Sequence, residues 1–585
     1  MKRRWLLAGV GSVSTLCIAG CTGSEDLPNG DGDGTGNSGQ SNGDEETTGT
    51  AETVVVESGD SIQHAIDEVS PNGTVEVRSG TYVESLAVDK KLVLTAPDGA
   101  ALDGVDADGG SAITVSESGV QIEGFEIFDY ETAGIRTSGD LAEVSITDVE
   151  LYNISEAALQ LTAETVSLAD VTLEDNGGAA SIEASADGDV TVRNSNFVRS
   201  AAGGLTIAGG KTVVLDGVEA LQNGGTGINV GGGNVRGQTV EVTDVTSLEN
   251  GGSGLSVTGT RGDDTVTVET VEAADNSSFG VDIAAESVDV TGLDLRENGT
   301  GSGLSIESTS DGDVAVRDSD VTHDGGYGIR VAGGKTVEIE EIGLLQNGND
   351  QLRVEGGDVR GQTVTVRDSS MTENESGNGL SIIGTSGDDT VTVENVDFVD
   401  NSYHGIDVAA ETVDITGVEV QSGGAADSGI SIVSSSDGDV TVRDTTVTDT
   451  KRETTTSWFS SSVDEYGYGI HIVNGETIEV ENVELRRNEG TQLNIDGNDV
   501  RGQTVDVRNS SFIESESGHG VRVLGTRGDD EQTITNCVAE DNSYHGFSLG
   551  AETVVIEETS AGGNGDGPLE LTTITEEEAT IRNSF

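Results

Sequence analysis

The chain has 585 residues and a formal net charge of −77, from 106 acidic against 29 basic side chains. So acidic a surface excludes a nucleic-acid footprint, which needs a basic patch, and it disfavours anionic membranes and polyanionic ligands. The three cysteines, Cys17, Cys21 and Cys537, form neither a disulfide framework nor a metal cluster.

Acidity of this degree suits a halophile, whose many hydrated carboxylates keep a protein soluble in concentrated salt. Salt also screens their repulsion, with a Debye length of roughly 3 Å at 1 M. The fold is therefore expected to loosen in dilute buffer, read as a thermal midpoint that climbs with salt. Aromatics are 3% of the chain, and there are 84 Gly against 4 Pro. A core of Val, Ile and Leu with frequent turns suits short strands. Regular Val/Ile alternation argues against disorder beyond the N-terminal region.

Residues 1–21 read as a targeting segment. Lys2, Arg3 and Arg4 precede an apolar run from Trp5 to Ala19 that is short for a membrane span. Ile18-Ala19-Gly20-Cys21 resembles a lipobox, and Arg3-Arg4 resembles a twin-arginine signal. The mature protein is expected to begin at a lipidated Cys21 and to sit on the outer face of the cell membrane. An uncleaved anchor helix is the alternative and leaves the location unchanged. Residues 22–51, rich in Gly, Ser, Asn, Asp, Thr and Glu, form a flexible tether.

The folded domain is expected to span 52–585. Val54-Val55-Val56 is a short strand. Asp60 or Ser61 can cap a helix whose Ile62, Ala65, Ile66 and Val69 recur at i, i+3, i+4 and i+7. That helix would cover the N-terminal end of the core. Short strands then recur to the C-terminus in units of 22 to 28 residues, such as Gly254 to Ser278. Three short strands per unit make one coil of a parallel β-helix. A leucine-rich repeat would need a Leu-rich consensus, which is absent. About 20 coils at the ~4.8 Å strand spacing give a rod on the order of 95 Å. Asn176, Asn223, Asn250, Asn276, Asn298, Asn347, Asn374 and Asn401 end successive coils. Asparagine accepts the left-handed turn and can stack its amide on the next coil. No second helix is visible at the C-terminal end, where Glu576-Glu577-Glu578 can guard the edge by charge.

Coils group in fives, carrying AET, DGD, GGK, VRGQ and GDD in turn. DGDV begins at Asp187, Asp311 and Asp437, at steps of 124 and 126, and VRGQTV at Val235, Val359 and Val500, at steps of 124 and 141. Three blocks fit between about 157 and 545. The third carries an insertion near Lys451–Tyr466.

The stretch SIQHAIDEVSPNGTVEVRSGTYVESLAVDKKLVLTAPDG, Ser61–Gly99, resembles the opening of pectin-lyase-like right-handed parallel β-helix proteins. The later G-I-x-V and N-x-x-G units are similar to the repeats of NosD-type, carbohydrate-binding and sugar-hydrolase members. The resemblance implies an all-β, right-handed parallel β-helix. It assigns no activity, because this fold carries lyases, hydrolases, epimerases and inert stalks.

The sequence offers several candidate sites. DGD and GDD read as turn chemistry, with Gly at φ > 0 and Asp capping its own turn. No cofactor is expected; calcium on these stacked carboxylates is the alternative, although their spacing matches no known loop. Arg236, Arg360 and Arg501 are expected to pair with the neighbouring GDD aspartates. Gly518-His519-Gly520 resembles the histidine motif of polygalacturonase-like hydrolases. The other motifs of that family are missing, as is the pectate lyase arginine motif, so it reads as a coil-opening glycine pair. Cys537 aligns with Val396 and reads as a buried small hydrophobe.

The third block departs most from its siblings. Its insertion holds Trp458, Phe459, Asp464, Glu465 and Tyr466 in an aromatic-poor chain, which suits sugar stacking or a loop folded back on the rod. Outward positions of successive short strands read Asp407, Ser431, His471, Asn494 and Arg522. The column before them reads His404, Ser428, Tyr468, Thr491 and His519. In the earlier blocks the His471 position falls at or beside Leu205 and then at Arg330. Asp407 and His471 are the candidate acid–base pair, about 10 Å apart by strand spacing. His404, Trp458, Tyr468 and Arg522 are the candidate substrate-binding residues.

The sequence thus predicts a surface-anchored β-helix that binds, and as an enzyme would cleave, a polysaccharide or surface glycan. A non-catalytic stalk or adhesion scaffold is the alternative, favoured by the similarity of the blocks. A NosD-like role in cofactor maturation lacks its His/Met/Cys cluster.

Overall fold

The computed structural model describes residues 52–107, 110–233, 235–258, 262–357, 359–383, 388–421, 428–451, 467–498, 500–524, 529–572 and 579–585. Residues 1–51, with Cys21 and the expected targeting segment and tether, the insertion with Trp458, and Glu576–Glu578 lie outside them. The domain is a right-handed parallel β-helix of about 19 turns.

One coil shows how the sequence builds the turn. Ile329–Ala332 is a short strand whose Ile329 and Val331 point inward and whose Arg330 points out. Gly333 and Gly334, at φ 82° and 79°, turn the chain. Thr336–Leu345 follows and bends at Glu341, where φ is 53°. Gln346, at φ 55°, makes the last corner and leads into the buried Asn347. Each coil then hydrogen-bonds in parallel register to the next, as Ile329 does to Leu352 and Thr336 to Thr363. Inward positions repeat every second residue, so Val, Ile and Leu stack into one continuous core.

The asparagine stack exists, but the left-handed residue is the one before it. Gln222, Glu249, Asp275, Glu297 and Gln346 carry φ of 53° to 57°. The asparagines that follow turn inward and bridge coils. Asn250 Oδ1 accepts from the Asn223 backbone N–H at 3.0 Å, while Asn250 Nδ2 donates to Ala220 O at 3.0 Å. The corner residue projects into solvent, so Arg199, Gln222 and Glu249 all serve there. The buried position needs a side chain that both donates and accepts, which selects Asn.

The helix is Ile62–Glu68, and Ser61 rather than Asp60 caps it, with His64 N–H donating to its Oγ. Ile62, Ala65 and Ile66 are buried, as their spacing requires. Glu84, from the next coil, accepts from Ile62 and Gln63 N–H at 3.0 and 3.1 Å and so holds the helix N-terminus.

The block motifs prove structural in ways the sequence did not show. In GDD, Asp263, Asp388 and Asp529 are themselves left-handed, at φ 52° to 59°. The next aspartates, Asp264, Asp389 and Asp530, are buried and accept backbone N–H groups of Gln238, Gln362 and Gln503 on the preceding coil. The DGD glycines do not have positive φ. A Cβ on Gly188, Gly312 or Gly438 would lie 1.7, 1.8 or 2.0 Å from a carbonyl oxygen of the coil below. These glycines are required by close approach, not by turn conformation. Among the described residues Arg236, Arg360 and Arg501 form no ion pair with a carboxylate. The carbonyls of Arg236 and Arg360 instead accept from Lys211 and Lys335.

Cys537 is 1% exposed and burial pushes its thiol up to about 11, so it is a core residue and no nucleophile. Added Cβ atoms on Gly518 and Gly520 would meet Thr491 N at 2.3 Å and Gly546 O at 2.6 Å. The GHG glycines therefore open a coil by close stacking.

Candidate functional site

The short strands stack into one face, and their outward residues form a single column. Register places Asp407 beside Ser431, Ser431 beside His471, His471 beside Asn494, and Asn494 beside Arg522. The column continues to Ser548 and Glu570. Backwards it runs through Ser381, Arg353 and Arg330. In the first block the His471 position is Thr206; Leu205 beside it faces the core.

Asp407 and His471 share this face two coils apart. No side-chain contact joins them. Among the described residues Asp407 forms no ion pair or side-chain hydrogen bond, so its carboxylate is an unused acceptor. His471 meets a carboxylate that the column does not contain, Asp496, on the neighbouring strand Leu493–Asp496. His471 Nε2 lies 3.2 Å from Asp496 Oδ2. Asn494 Nδ2 donates to the same oxygen at 3.0 Å. Arg522 Nη1 donates to Asn494 Oδ1 at 2.9 Å and lies 3.7 Å from Asp496 Oδ1. The Tyr468 ring sits 4.9 Å from the His471 ring, tilted by 50°. Burial draws the Asp496 carboxyl up, but the hydrogen bond and charge of His471, the Arg522 charge and the Asn494 amide together hold it below the usual range. The contact of Nε2 with Asp496 fixes the orientation of the His471 ring. That is the arrangement of an oriented base.

The second block has the same framework with different charges. Arg330 and Arg353 both reach Glu355, at 2.6 and 2.7 Å, and Arg353 lies over the Tyr327 ring at 5.4 Å. A groove of about 440 Å³ opens here beside Phe279, Asp282, Tyr327 and Arg330. Burial raises the Asp282 carboxyl. Here every cation is locked to a carboxylate. The third block replaces these arginines by His471 and Asn494, so its node carries no pair of fixed guanidinium charges at these two positions.

His404 sits half-buried two positions before its strand, Ile406–Ala409. Its Nδ1 lies 3.1 Å from Ser428 N and 3.0 Å from Ser428 O. His519 continues that column, stacked parallel on His545 at 5.7 Å and edge-on to Tyr544 at 5.3 Å. Burial, with the nearby His545 and Arg522, pushes His519 down to about 4, so it is neutral. Asp496, Tyr544 and His545 were not reached from sequence. The repeated Asn-Ser-Tyr-His-Gly at Asn401–Gly405 and Asn542–Gly546 was the visible signal of Tyr544 and His545; Asp496 lies outside that motif.

No group of three or more His, Cys, Asp or Glu side chains is placed to hold a metal ion among the described residues. No helix among them is long and apolar enough to cross a membrane.

No curated protein matches the chain by sequence. Solved structures similar to it include a periplasmic alginate epimerase, 14% identical, with a TM-score of 0.32, covering 59% of this chain and 83% of that one. The A-module of an Azotobacter vinelandii mannuronan C-5 epimerase is 11% identical, with a TM-score of 0.21, covering 89% and 94%. A pectate lyase is 14% identical, with a TM-score of 0.23, covering 60% and 80%. The model of the right handed beta helix region matches residues 133–298 and 302–484. With more than half of its length matched, the chain belongs to the right-handed β-helix family.

Proposed function

We propose that this β-helix is an exported, lipid-anchored surface protein that binds a neutral polysaccharide along its short-strand face. The carrying observation is the node of Tyr468, His471, Asn494, Asp496 and Arg522, which appears in one block of an otherwise repeated surface. The column beside it offers donors and acceptors suited to sugar hydroxyls, including the unused Asp407. The ligand class follows from charge. Arg522 already serves Asp496, and the chain as a whole is at −77, so nothing on this face recruits a polyanion. His471, oriented by Asp496, is the group through which the same face would act as a general base if the glycan is cleaved. Calcium plays no part in this reading.

The test is a glycan array and calorimetry in molar salt, with wild type, His471→Ala and Asp496→Ala. Wild type is expected to bind neutral glycans and not uronate polymers. Each variant is expected to lose about tenfold or more, since removing one partner of this network strands the other. Equal binding by wild type and both variants would sink the assignment. Product analysis of the same samples separates a lectin-like protein from a hydrolase or lyase.

A further inference from the structure

Two tyrosines on this face are built alike and left open. Tyr403 is 43% exposed and Tyr544 36%. Each lies in the sequence Asn-Ser-Tyr-His-Gly, at Asn401–Gly405 and Asn542–Gly546. The two turns are held the same way. Asn401 and Asn542 Nδ2 each donate at 3.0 Å, to Met371 O and Phe512 O. Ser402 and Ser543 hydroxyls donate to Asn374 O and Ser515 O on the coil below, at 2.9 and 3.1 Å. Tyr403 and Tyr544 N–H donate to Gly377 O and Gly518 O, at 2.9 and 3.0 Å. Equal anchoring holds the two turns in the same backbone geometry, and the Tyr544 ring also meets His519 edge-on at 5.3 Å.

The phenols also differ from those of three tyrosines nearer the N-terminal end of the fold. Tyr82, Tyr130 and Tyr152 each donate to an oxygen of the protein. Among the described residues neither the Tyr403 nor the Tyr544 hydroxyl makes a hydrogen bond. The first block has Ser278 and Phe279 where the later blocks have Tyr and His, so the pair is specific to these two copies.

Register fixes their separation. Ile406, Ile430, Ile470, Leu493, Val521 and Phe547 are successive partners, so the two turns stand five coils apart. Five strand spacings amount to ~24 Å. The polar column from Asp407 to Arg522 fills that interval.

We infer that Tyr403 and Tyr544 are twin stacking platforms that hold one linear neutral glycan chain along the solenoid axis, with its middle over His471. The inference rests on the polysaccharide reading above. An aromatic ring with an open polar tip suits a sugar, apolar on one face and hydroxylated at its rim. Two such platforms on a rigid rod act bivalently. The second contact becomes intramolecular once a chain is long enough to span both, and affinity then rises by about 10²–10⁴.

Size-fractionated neutral linear glucans and mannans, from disaccharides to chains longer than the spacing, would be titrated calorimetrically in molar salt against the full chain. Wild type should show weak binding of short oligomers and a step of at least about 100-fold once the chain spans the interval. Tyr403→Ala and Tyr544→Ala should each remove the step while keeping weak binding. The double variant should lose both, and Tyr403→Phe should keep the step. Both rings are exposed, so the thermal midpoint should not move. Affinity that rises smoothly with length, or a step that survives either alanine, overturns the twin platforms and leaves the polysaccharide reading standing. Absence of binding at every length overturns both.

Discussion

Asp324→Asn is expected to raise stability by on the order of 3–4 kcal/mol at pH 8 and to flatten its dependence on pH. Asp324 occupies a position of the internal ladder that Asn holds in neighbouring coils. Its Oδ1 accepts from Asn298 N–H at 2.7 Å, and its own N–H donates to Asn347 Oδ1 at 3.0 Å. Its Oδ2 is buried with no hydrogen-bond partner. Asn298 and Asn347 instead use Nδ2 at the equivalent place, donating to Ala273 O and Val321 O. Burial therefore pushes the Asp324 carboxyl up from 3.8 to about 7, only partly offset by the Asn298 contacts and His323. The sign follows. The folded state binds this proton more tightly than the unfolded chain does, so its contribution is full below about pH 4 and is lost as pH rises through about 7. Asparagine supplies the missing donor at every pH. Denaturant midpoints of wild type and variant should converge near pH 4 and separate toward pH 8. A variant no more stable than wild type at pH 8 would contradict this.

The second large effect is steric. Gly312→Ala would place a Cβ 1.8 Å from Glu286 O and 2.5 Å from Ser308 Oγ. The first contact is backbone of the coil below and cannot rotate away. Relief requires the coils to part, which breaks both the parallel ladder and the core beneath it, at a cost of ~3 kcal/mol or more. Gly188 and Gly438 repeat the geometry and should behave alike. Gly231→Ala is the control, because its nearest atoms stand 3.8 Å or more away. That substitution should be neutral, or stabilising by about 0.4–1 kcal/mol through the unfolded chain. Hydrogen exchange should locate the Gly312→Ala damage in coils adjoining Gly312, since a solenoid couples nearest neighbours.

These two positions mark what the sequence can and cannot say. Inward positions are legible because every second residue of each strand is buried and apolar, which is why coil length and the outward column emerge from alternation, and the helix from its i, i+3, i+4, i+7 spacing. Asparagine at most coil ends is also visible, although Ser200, Asp324, Thr450 and Ser515 hold the same position in other coils. The left-handed residue before it is not, since its side chain faces water and Gln, Glu, Asp, His and Arg all occupy it. Whether a repeated glycine answers to φ or to a neighbour 1.8 Å away depends on the coil below, which sequence order does not place. The same gap explains Asp496. Reading one column finds His471 and Arg522, but their shared partner lies two residues along the adjoining strand from Asn494, in the next column. The candidate pair Asp407 and His471 shares a face, and the contact partner of His471 is a different carboxylate.

The third-block node is also where the repeat is broken. The second block fills the framework with Arg330, Arg353 and Glu355, and the first with Thr206, Asn229 and Gly231. The rod is repeated, and different residues at a few outward positions give one copy a node of different charge and hydrogen bonding.

The most direct measurement is hydrogen exchange of the full chain in molar salt, with and without a saturating neutral glycan long enough to span five coils. Bound glycan should slow exchange in the turns that open the short strands from Tyr403 to His545, and should leave the GDD rim and the first block unchanged. Protection centred elsewhere, or none along this face under saturation, would contradict the assignment.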